Sequence, residues 1–214
     1  MNLLITIIDY AYAALLKIKS FFINEIELDN SKKLRSAIII PGVYETPIYF
    51  KSISSTLAEN YNIIHSDSIC GKGGSIDENA RSIAKYIDKL KLSDVLVVGH
   101  SSGGLVAVKA LGITTKISSV ITIATPFHGV QNGHLLRTKL VRELLPTSDI
   151  VKSMANLPHS SLRKITSMYP SFDNQVWSKE GSILRGAKNI KVNAKGHHLI
   201  LRSSALQKAI LAAI

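Results

Sequence analysis

The sequence predicts an α/β fold with a mostly parallel, doubly wound sheet of about six strands and helices on both faces. Short apolar runs rich in β-branched residues are separated by segments whose apolar residues recur every three or four positions. Strands that alternate with helices in this way pair in parallel, because each crossover helix returns the chain to the same end of the sheet. In such sheets ligands bind beyond the carboxyl ends of the strands, so the residues that follow each strand are the candidates for function.

The first half of the chain contains two predicted units of strand and helix. SAIIIPG is a continuous apolar run that stops at a Pro-Gly pair, which is typical of a buried strand. PIYFKSISSTLAEN follows it, with Phe50, Ile53 and Leu57 at helical spacing. YNIIHSD is a second short strand. SIDENARSIAKYIDKLK is a predicted helix, with Ser75 as its N-cap and acidic residues in its first turn.

The second half continues the alternation. DVLVVG is a third buried strand, and GLVAVKALG, which begins at Gly104, has the small residues of a helix that packs closely on a sheet. SSVITIATP is a fourth strand with Thr125 and Pro126 at its end. The later elements are predicted as two short helices broken at Pro146 in QNGHLLRTKLVRELLPTSDIVKSMANL, the strands KITSMY and NIKVNA, and a helix in LILRSSALQKAILAAI.

The N-terminal segment MNLLITIIDYAYAALLKIKSFF is a predicted amphipathic helix, and we assign residues 1–30 to it and residues 31–214 to a single domain. A narrow stripe at helical spacing comprises Asn2, Thr6, Asp9, Ala13, Lys17 and Ser20. The rest of the helix surface is almost wholly apolar, and its longest uncharged run is short for a bilayer span. The apolar surface of such a helix must be buried against the domain, against a partner, or in a lipid interface that residues 2–22 would contact. A cleaved signal sequence is a further alternative, because AYA at residues 11–13 fits a cleavage site.

The composition narrows the possible functions. The formal net charge is +11, but the basic residues are scattered and are not interleaved with aromatic ones, so no nucleic acid is expected as a partner. Cys70 is the single cysteine, which leaves no disulfide framework and no cysteine-rich metal site. No metal and no cofactor are expected for this protein. CGKGGS around Lys72 lacks the spacing of a phosphate-binding loop and is interpreted as an ordinary loop.

The junction GHSSGG, from Gly99 to Gly104, is the most informative motif. It places Ser101 between a buried strand and a helix, with glycines on both sides. In a nucleophile elbow such glycines remove side chains that would collide with the neighbouring strand and helix, and the serine hydroxyl is left accessible. The motif is short, so the alternative is a glycine-rich connection in which Ser101 or Ser102 caps the helix.

A serine nucleophile requires a histidine base and a carboxylate that orients the histidine. Among the acids that follow Ser101, only Asp173 in SMYPSFD comes directly after a predicted strand, although it also fits a turn-forming aspartate. His197 and His198 follow the last strand, where a loop can carry an imidazole to the elbow. The other histidines are set aside, His100 because it is the variable position of the motif.

Four segments together resemble the serine esterases and lipases of the α/β-hydrolase fold, most closely the small bacterial lipase-like members. GHSSGG resembles their elbow, ATPFHG their Thr-Pro segment, SFDNQVW the stretch with their acid, and GHHLILRS their Gly-His before an apolar helix start. The resemblance extends from about Ser36 to Ile214 and implies a triad of Ser101, Asp173 and His197. His198 stands where the family usually has an apolar residue, so the base is one of two histidines.

The resemblance also implies an oxyanion hole and a reaction. Backbone N–H groups of Val43, in the first loop, and of Ser102 would hold the oxyanion. Many members begin this loop with His-Gly, whereas this chain has Pro41-Gly42 there. The hole needs backbone amides and not that histidine side chain. The implied reaction is hydrolysis of a carboxylic ester, small or lipid-like, through an acyl-enzyme.

Two other functions remain open at this stage. The same site fits a thioesterase, an amidase or an acyltransferase. The second alternative is a hydrolase-like protein without catalytic activity. Its N-terminal helix would recruit a partner or a membrane. The lone cysteine and the absence of a convincing signal sequence favour the cytoplasm or the cytoplasmic face of the membrane. The oligomeric state does not follow from the sequence.

Overall fold

The computed structural model describes residues 2–22, 35–70, 74–130, 139–178 and 180–214. The strands of these residues are β1 (Arg35–Ile40), β2 (Tyr61–His65), β3 (Val95–His100), β4 (Ile117–Ile123), β5 (Ile165–Phe172) and β6 (Lys188–Lys195). The α-helices are α1 (Asn2–Lys19), α2 (Lys51–Leu57), α3 (Ile76–Lys89), α4 (Ser102–Leu111), α5 (Lys139–Glu143), α6 (Asp149–Met154), α7 (His159–Leu162) and α8 (Ser204–Leu211). The strands form one sheet in the order β2-β1-β3-β4-β5-β6, and every neighbouring pair is parallel. The predicted fold class is confirmed.

The sheet is covered on both faces, which is why its central strands are continuous apolar runs. Successive residues of a strand point to opposite faces. Ile38 of β1 and Val97 of β3 belong to a core shared with α3, α4 and α6, whereas Ile39 and Val98 belong to a core shared with α1, α2 and α8. All four side chains are fully buried.

Most predicted elements exist, with shifted ends. The helix predicted after β1 starts as a 3₁₀ turn at Pro47–Phe50. The helix predicted at the C-terminal end of the sequence is divided at Ser203, whose side chain caps α8. Ser75 caps α3 and forms a capping box with Glu78. The helices on either side of Pro146 are α5 and α6, while residues 131–138 of that segment and the loop residues 71–73 lie outside the described residues. Helix α7 is an additional short element.

The segment with α5 and α6 belongs to the body of the fold. Ile150 and Met154 of α6 are buried in the core that contains α3 and α4. Glu143, the last residue of α5, accepts a hydrogen bond at 2.7 Å from the backbone N–H of Ile76 at the start of α3. This part of the segment therefore stabilises the N-terminus of α3.

Helix α1 packs on the domain through its narrow polar stripe. Asp9 is fully buried, and Leu16 is the other buried side chain of this helix. The hydroxyl of Tyr49 donates to the carbonyl of Ala13 at 2.6 Å, and Lys17 Nζ donates to the carbonyl of Tyr44 at 3.0 Å. The opposite side of α1 exposes large apolar side chains. None of the helices in the described ranges is long and apolar enough to cross a membrane.

Candidate functional site

Ser101 occupies a sharp turn between β3 and α4. Its backbone has φ 52° and ψ −125°, a conformation that costs a residue other than glycine about 1–3 kcal/mol. The surrounding hydrogen bonds stabilise this turn. The N–H of Ser101 donates to the carbonyl of Ile123 at 2.9 Å, and its own carbonyl accepts from Gly104 at 3.1 Å. The side chain does not cap α4, which contradicts the alternative that Ser101 is an ordinary helix cap.

Gly99 allows β3 to approach α4, and Gly103 allows α4 to approach the end of β1. A Cβ atom at Gly99 would collide with the backbone of Gly103, and a Cβ atom at Gly103 would collide with the carbonyl groups of Ile40 and Pro41. The glycines of the motif are therefore required by backbone contacts on both sides of Ser101.

His197 and Asp173 meet at the end of the sheet where β5 and β6 terminate. His197 Nδ1 lies 3.0 Å from each carboxylate oxygen of Asp173, and both side chains are almost completely buried. The backbone N–H groups of Gln175 and Val176 each donate to Asp173 Oδ1 at 2.8 Å. Burial acts to raise the pKa of Asp173, but His197 and the two amides outweigh it and hold that pKa below its ordinary value.

The structure brings Ser101 and His197 to the same edge through His100. The rings of His100 and His197 have centroids 4.7 Å apart, and His100 directly precedes Ser101. No hydrogen bond between Ser101 and His197 is present among the described residues. Such a bond often tightens only when substrate binds.

The first loop lies against Ser101. An added Cβ atom at Gly42 would be 2.9 Å from Ser101 Cβ. Within the described ranges, the backbone N–H groups of Val43 and Ser102 donate to no other group of the protein. Ser102 is the first residue of α4, so its N–H is one of the free donors at a helix N-terminus.

His198 is held by a different carboxylate from His197. Its Nδ1 lies 3.0 Å from Asp9 Oδ2, and its backbone N–H donates to Asp9 Oδ1 at 2.8 Å. Leu199 N–H also donates to Asp9 Oδ1 at 2.8 Å, and Asn174 Nδ2 donates to Asp9 Oδ2 at 3.1 Å. Burial acts to raise the pKa of Asp9, but His198 and these donors lower it to about 2. Asp9 is thus an ionised carboxylate inside the protein.

Asn174 connects the two carboxylates. Its Oδ1 accepts from the backbone N–H of His197 at 3.0 Å, while its Nδ2 donates to Asp9. The residue that follows Asp173 therefore holds the main chain of His197. The loop of the two histidines is fixed from both sides by side-chain and backbone hydrogen bonds.

His100 lies between Glu45 and the main chain of His197. Its Nδ1 lies 2.7 Å from Glu45 Oε1, and its Nε2 lies 3.0 Å from the carbonyl of His197. Both partners are hydrogen-bond acceptors, an arrangement that favours the doubly protonated form of the imidazole. Burial acts to lower the pKa of His100, but Glu45 and the His197 carbonyl raise it above its ordinary value.

Glu45 joins this pair to the first loop. Its Oε2 accepts from the backbone N–H of Gly42 at 2.6 Å, and its Oε1 lies 3.5 Å from His198 Nε2. Burial acts to raise the pKa of Glu45, but His100, His198 and Gly42 lower it to about 2. Acids and imidazoles therefore alternate from Asp9 through His198 and Glu45 to His100.

The sequence interpretation missed Asp9, Glu45 and His100 as parts of this site. The sequence does mark Asp9 as unusual, because it is the only acidic residue of α1 and lies on the polar stripe of a largely apolar helix. The sequence does not mark Glu45, since a glutamate in a loop is ordinarily exposed. His100 was set aside as a variable position, although a histidine inside a fully buried apolar strand needs a polar partner.

The contribution of Asp9, Glu45 and His100 to the free energy of unfolding is expected to be greatest between about pH 4.5 and 6.5. Asp9 and Glu45 have lowered pKa values in the folded state, so the stability that they contribute is present above their ordinary pKa values of 3.8 and 4.5 and is lost as pH falls toward 2. His100 has a raised pKa, so its contribution is complete below 6.5 and is lost as pH rises through the folded-state value. Urea titrations at successive pH values measure this profile.

Glu45→Gln is the matched variant for this measurement. It removes a carboxyl group whose own pKa is lowered, and with it the charge that raises the pKa of His100, so both limbs of the profile should become shallower. An unchanged dependence on pH in Glu45→Gln would show that other groups control acid and alkaline unfolding.

Other candidates from the sequence lie apart from this cluster. Thr125 is buried against Gly104, and His128 is exposed with its Nε2 3.1 Å from the carbonyl of Ile183. Burial raises the pKa of the Cys70 thiol to about 11, which makes it a poor nucleophile. In the part of the chain that the structure describes, no group of three or more His, Cys, Asp or Glu residues is arranged to hold a metal.

A cavity of about 590 Å³ lies beside Asp173 and does not include Ser101. Thr6 of α1, Phe172, Trp177 and Lys191 are among the residues that line it. None of His100, His197 and His198 lines this cavity, although Asp173 and Asn174 do.

Comparison with known proteins identifies the fold. No protein-family model and no curated protein matches the sequence. Among solved structures, the mature lipase BlEst2 of Bacillus licheniformis superposes with a TM-score of 0.67 at 14% identity, covering 87% of this chain and 95% of that one.

Two further structures show the same similarity. RedJ, a thioesterase of the prodiginine pathway in Streptomyces coelicolor, gives a TM-score of 0.62 at 14% identity, with 94% of this chain and 96% of that chain covered. The enol-lactonase of Burkholderia xenovorans gives 0.63 at 12% identity, with 88% and 94% covered. With this sheet order, this turn at Ser101 and these structural relatives, the chain has the α/β-hydrolase fold.

Proposed function

We propose that the protein is a serine hydrolase that cleaves carboxylic esters with Ser101 as nucleophile, His197 as base and Asp173 as the orienting acid. The observation that carries the proposal is the hydrogen bond of His197 Nδ1 to Asp173, at the same edge as the strained turn of Ser101. Because Nδ1 is occupied, Nε2 is the nitrogen that takes the serine proton. The structural relatives, which include a lipase and a thioesterase, support hydrolysis as the type of reaction.

The reaction has two halves in this proposal. His197 removes the proton from Ser101 as its oxygen attacks the ester carbonyl, and Asp173 stabilises the imidazolium. His197 then protonates the leaving alcohol, and the acyl group remains on Ser101. Water attacks the acyl-enzyme with His197 again as base, which releases the acid and regenerates the serine.

The oxyanion is assigned to the backbone N–H groups of Val43 and Ser102. Their lack of other partners within the described residues supports this role, and so does the contact of Gly42 with Ser101. The hydrogen bond from the N–H of Gly42 to Glu45 holds the first loop in place, so the donors are oriented before substrate binds.

Thioester hydrolysis by the same residues is the second candidate, supported by the similarity to the RedJ thioesterase. Matched acyl oxoesters and acyl thioesters separate the two. A higher kcat/KM for the oxoester supports an esterase, and the reverse order supports a thioesterase.

Labelling with a fluorophosphonate is the test of the nucleophile. This reagent phosphonylates activated serines, so we expect one adduct, on Ser101 by mass spectrometry, and none in Ser101→Ala. Ser118→Ala is the matched control, because Ser118 lies at the opposite end of β4 and its Oγ donates to the carbonyl of Val95. An adduct that persists in Ser101→Ala, or folded wild-type protein without any adduct, would contradict the proposal.

A further inference from the structure

Helix α1 is oriented against the usual rule for a helix on a globular domain. A surface helix normally buries its apolar face and exposes its polar one. Here the buried residues are Asp9 and a single leucine, Leu16, and Tyr12 and Ala13 on the same side are only partly buried. The side chains that face away from the domain are Leu3, Leu4, Ile7, Ile8, Tyr10, Leu15 and Ile18, followed by Phe21 and Phe22 in the next turn. We call these nine residues the α1 apolar face.

Most of the exposed large apolar side chains in the described residues lie on the α1 apolar face. It contains nine of the fifteen large apolar side chains that are exposed among the described residues. Leu3 is 73% exposed and Phe22 83%. A continuous apolar surface of this kind marks an interaction site, whereas single exposed apolar residues do not.

The inner side explains why α1 keeps this orientation. Asp9 accepts four hydrogen bonds from the loop of His198 and from Asn174, and Lys17 donates to the carbonyl of Tyr44. Rotating the helix to bury its leucines would leave these buried donors without an acceptor, which is costly. The apolar face is thus held outward by the fold.

The charges around the α1 apolar face indicate which kind of partner would bind there. Asp9 is the only acid of residues 2–22 and points inward, so the face has no carboxylate of its own. Lys17 and Lys19 lie at its C-terminal end, and the guanidinium of Arg202 lies 5.4 Å from the centre of the Tyr12 ring. The chain as a whole has a formal net charge of +11. These cations repel a second copy of the chain and attract anionic headgroups.

We propose that the α1 apolar face docks on the interface of an anionic lipid bilayer, with α1 parallel to the membrane plane. The apolar side chains enter the boundary between headgroups and acyl chains, and Lys17 and Lys19 reach the headgroups. Docking of this kind requires no membrane crossing. It concerns binding alone and does not depend on the proposed hydrolysis.

The test is flotation of the full-length protein with phosphatidylcholine vesicles that contain either no phosphatidylglycerol or about 30% of it. We expect binding to the anionic vesicles, and weakening of that binding as salt rises from about 0.1 to 0.5 M. A triple variant, Leu4→Gln, Ile8→Gln and Leu15→Gln, should reduce the partition coefficient by about 100-fold or more. Glutamine keeps helix propensity, and these side chains are all exposed, so the fold should be retained.

The matched control changes three exposed apolar residues elsewhere, with Leu90→Gln, Ile113→Gln and Leu211→Gln. It should bind anionic vesicles as the wild type does. Equal loss in both triple variants, or no flotation of the wild type, would overturn the proposal. A wild type that does not float but sediments as a dimer, which the α1 variant converts to a monomer, would overturn it in favour of a second copy of the chain.

Discussion

His197→Ala should lower kcat for a soluble ester such as p-nitrophenyl butyrate by roughly 10⁴-fold or more, as removal of a triad base does. In the proposed mechanism, no other group of the site takes the proton of Ser101 during attack. Asp173 then has no imidazolium to stabilise. The measurement is steady-state hydrolysis by purified protein whose folding is verified by circular dichroism.

His198→Asn is the control that separates the two adjacent histidines. The asparagine Nδ2 can donate to Asp9 in place of His198 Nδ1, so the loop should keep its position. We expect kcat within about tenfold of the wild type, because this side chain is not the base in the proposed mechanism. The opposite ranking, with the larger loss in His198→Asn, would reassign the base to His198.

Asp9→Ala should reduce the free energy of unfolding by about 3–5 kcal/mol, because it leaves several buried donors unpaired at about 1–3 kcal/mol each, part of which relaxation recovers. The variant leaves two backbone N–H groups, of His198 and Leu199, and two side-chain donors without their acceptor. Urea unfolding measures the loss. Since the same loop carries His197, we also expect kcat to fall in the fraction that is folded.

Asp9→Asn and Ile8→Ala provide the comparison. Asn at position 9 keeps one oxygen as an acceptor for the two backbone donors, but its amide group faces the two side-chain donors. The decrease in the free energy of unfolding should therefore be smaller for Asp9→Asn than for Asp9→Ala. Ile8 is adjacent and exposed, and its truncation should change stability by less than about 0.5 kcal/mol. If Asp9→Ala were as stable as Ile8→Ala, the carboxylate would not anchor the loop.

The fold followed from the sequence because its signals are local. Apolar runs such as VLVV and the capping residue Ser75 determine strands and helices within a few positions. The turn at Ser101 is also local, since the glycines that it needs are neighbours in sequence. The ends of α2 and α8 shifted because their first turns adopt other conformations, a 3₁₀ turn before α2 and a cap at Ser203.

The contacts around the histidines could not be predicted from the sequence, because they join segments that are far apart in the chain. Asp9 lies 189 positions before His198 in the chain. A polar stripe on an apolar helix shows that one side differs from the other, but the direction in which it faces depends on tertiary contacts. The pair of His100 and Glu45 likewise joins β3 to the first loop, and neither residue has a pattern that indicates the other.

The separation between Asp9 and His198 has a consequence for biosynthesis. At a translation rate of about 5–20 residues per second, a ribosome needs roughly 10–40 s to synthesise the intervening chain. During this interval α1 has left the ribosome without the loop that fixes its orientation. Its leucines and isoleucines are then free to meet a chaperone or a lipid surface, and Asp9 gains its hydrogen-bond partners in the histidine loop only after His198 has been synthesised.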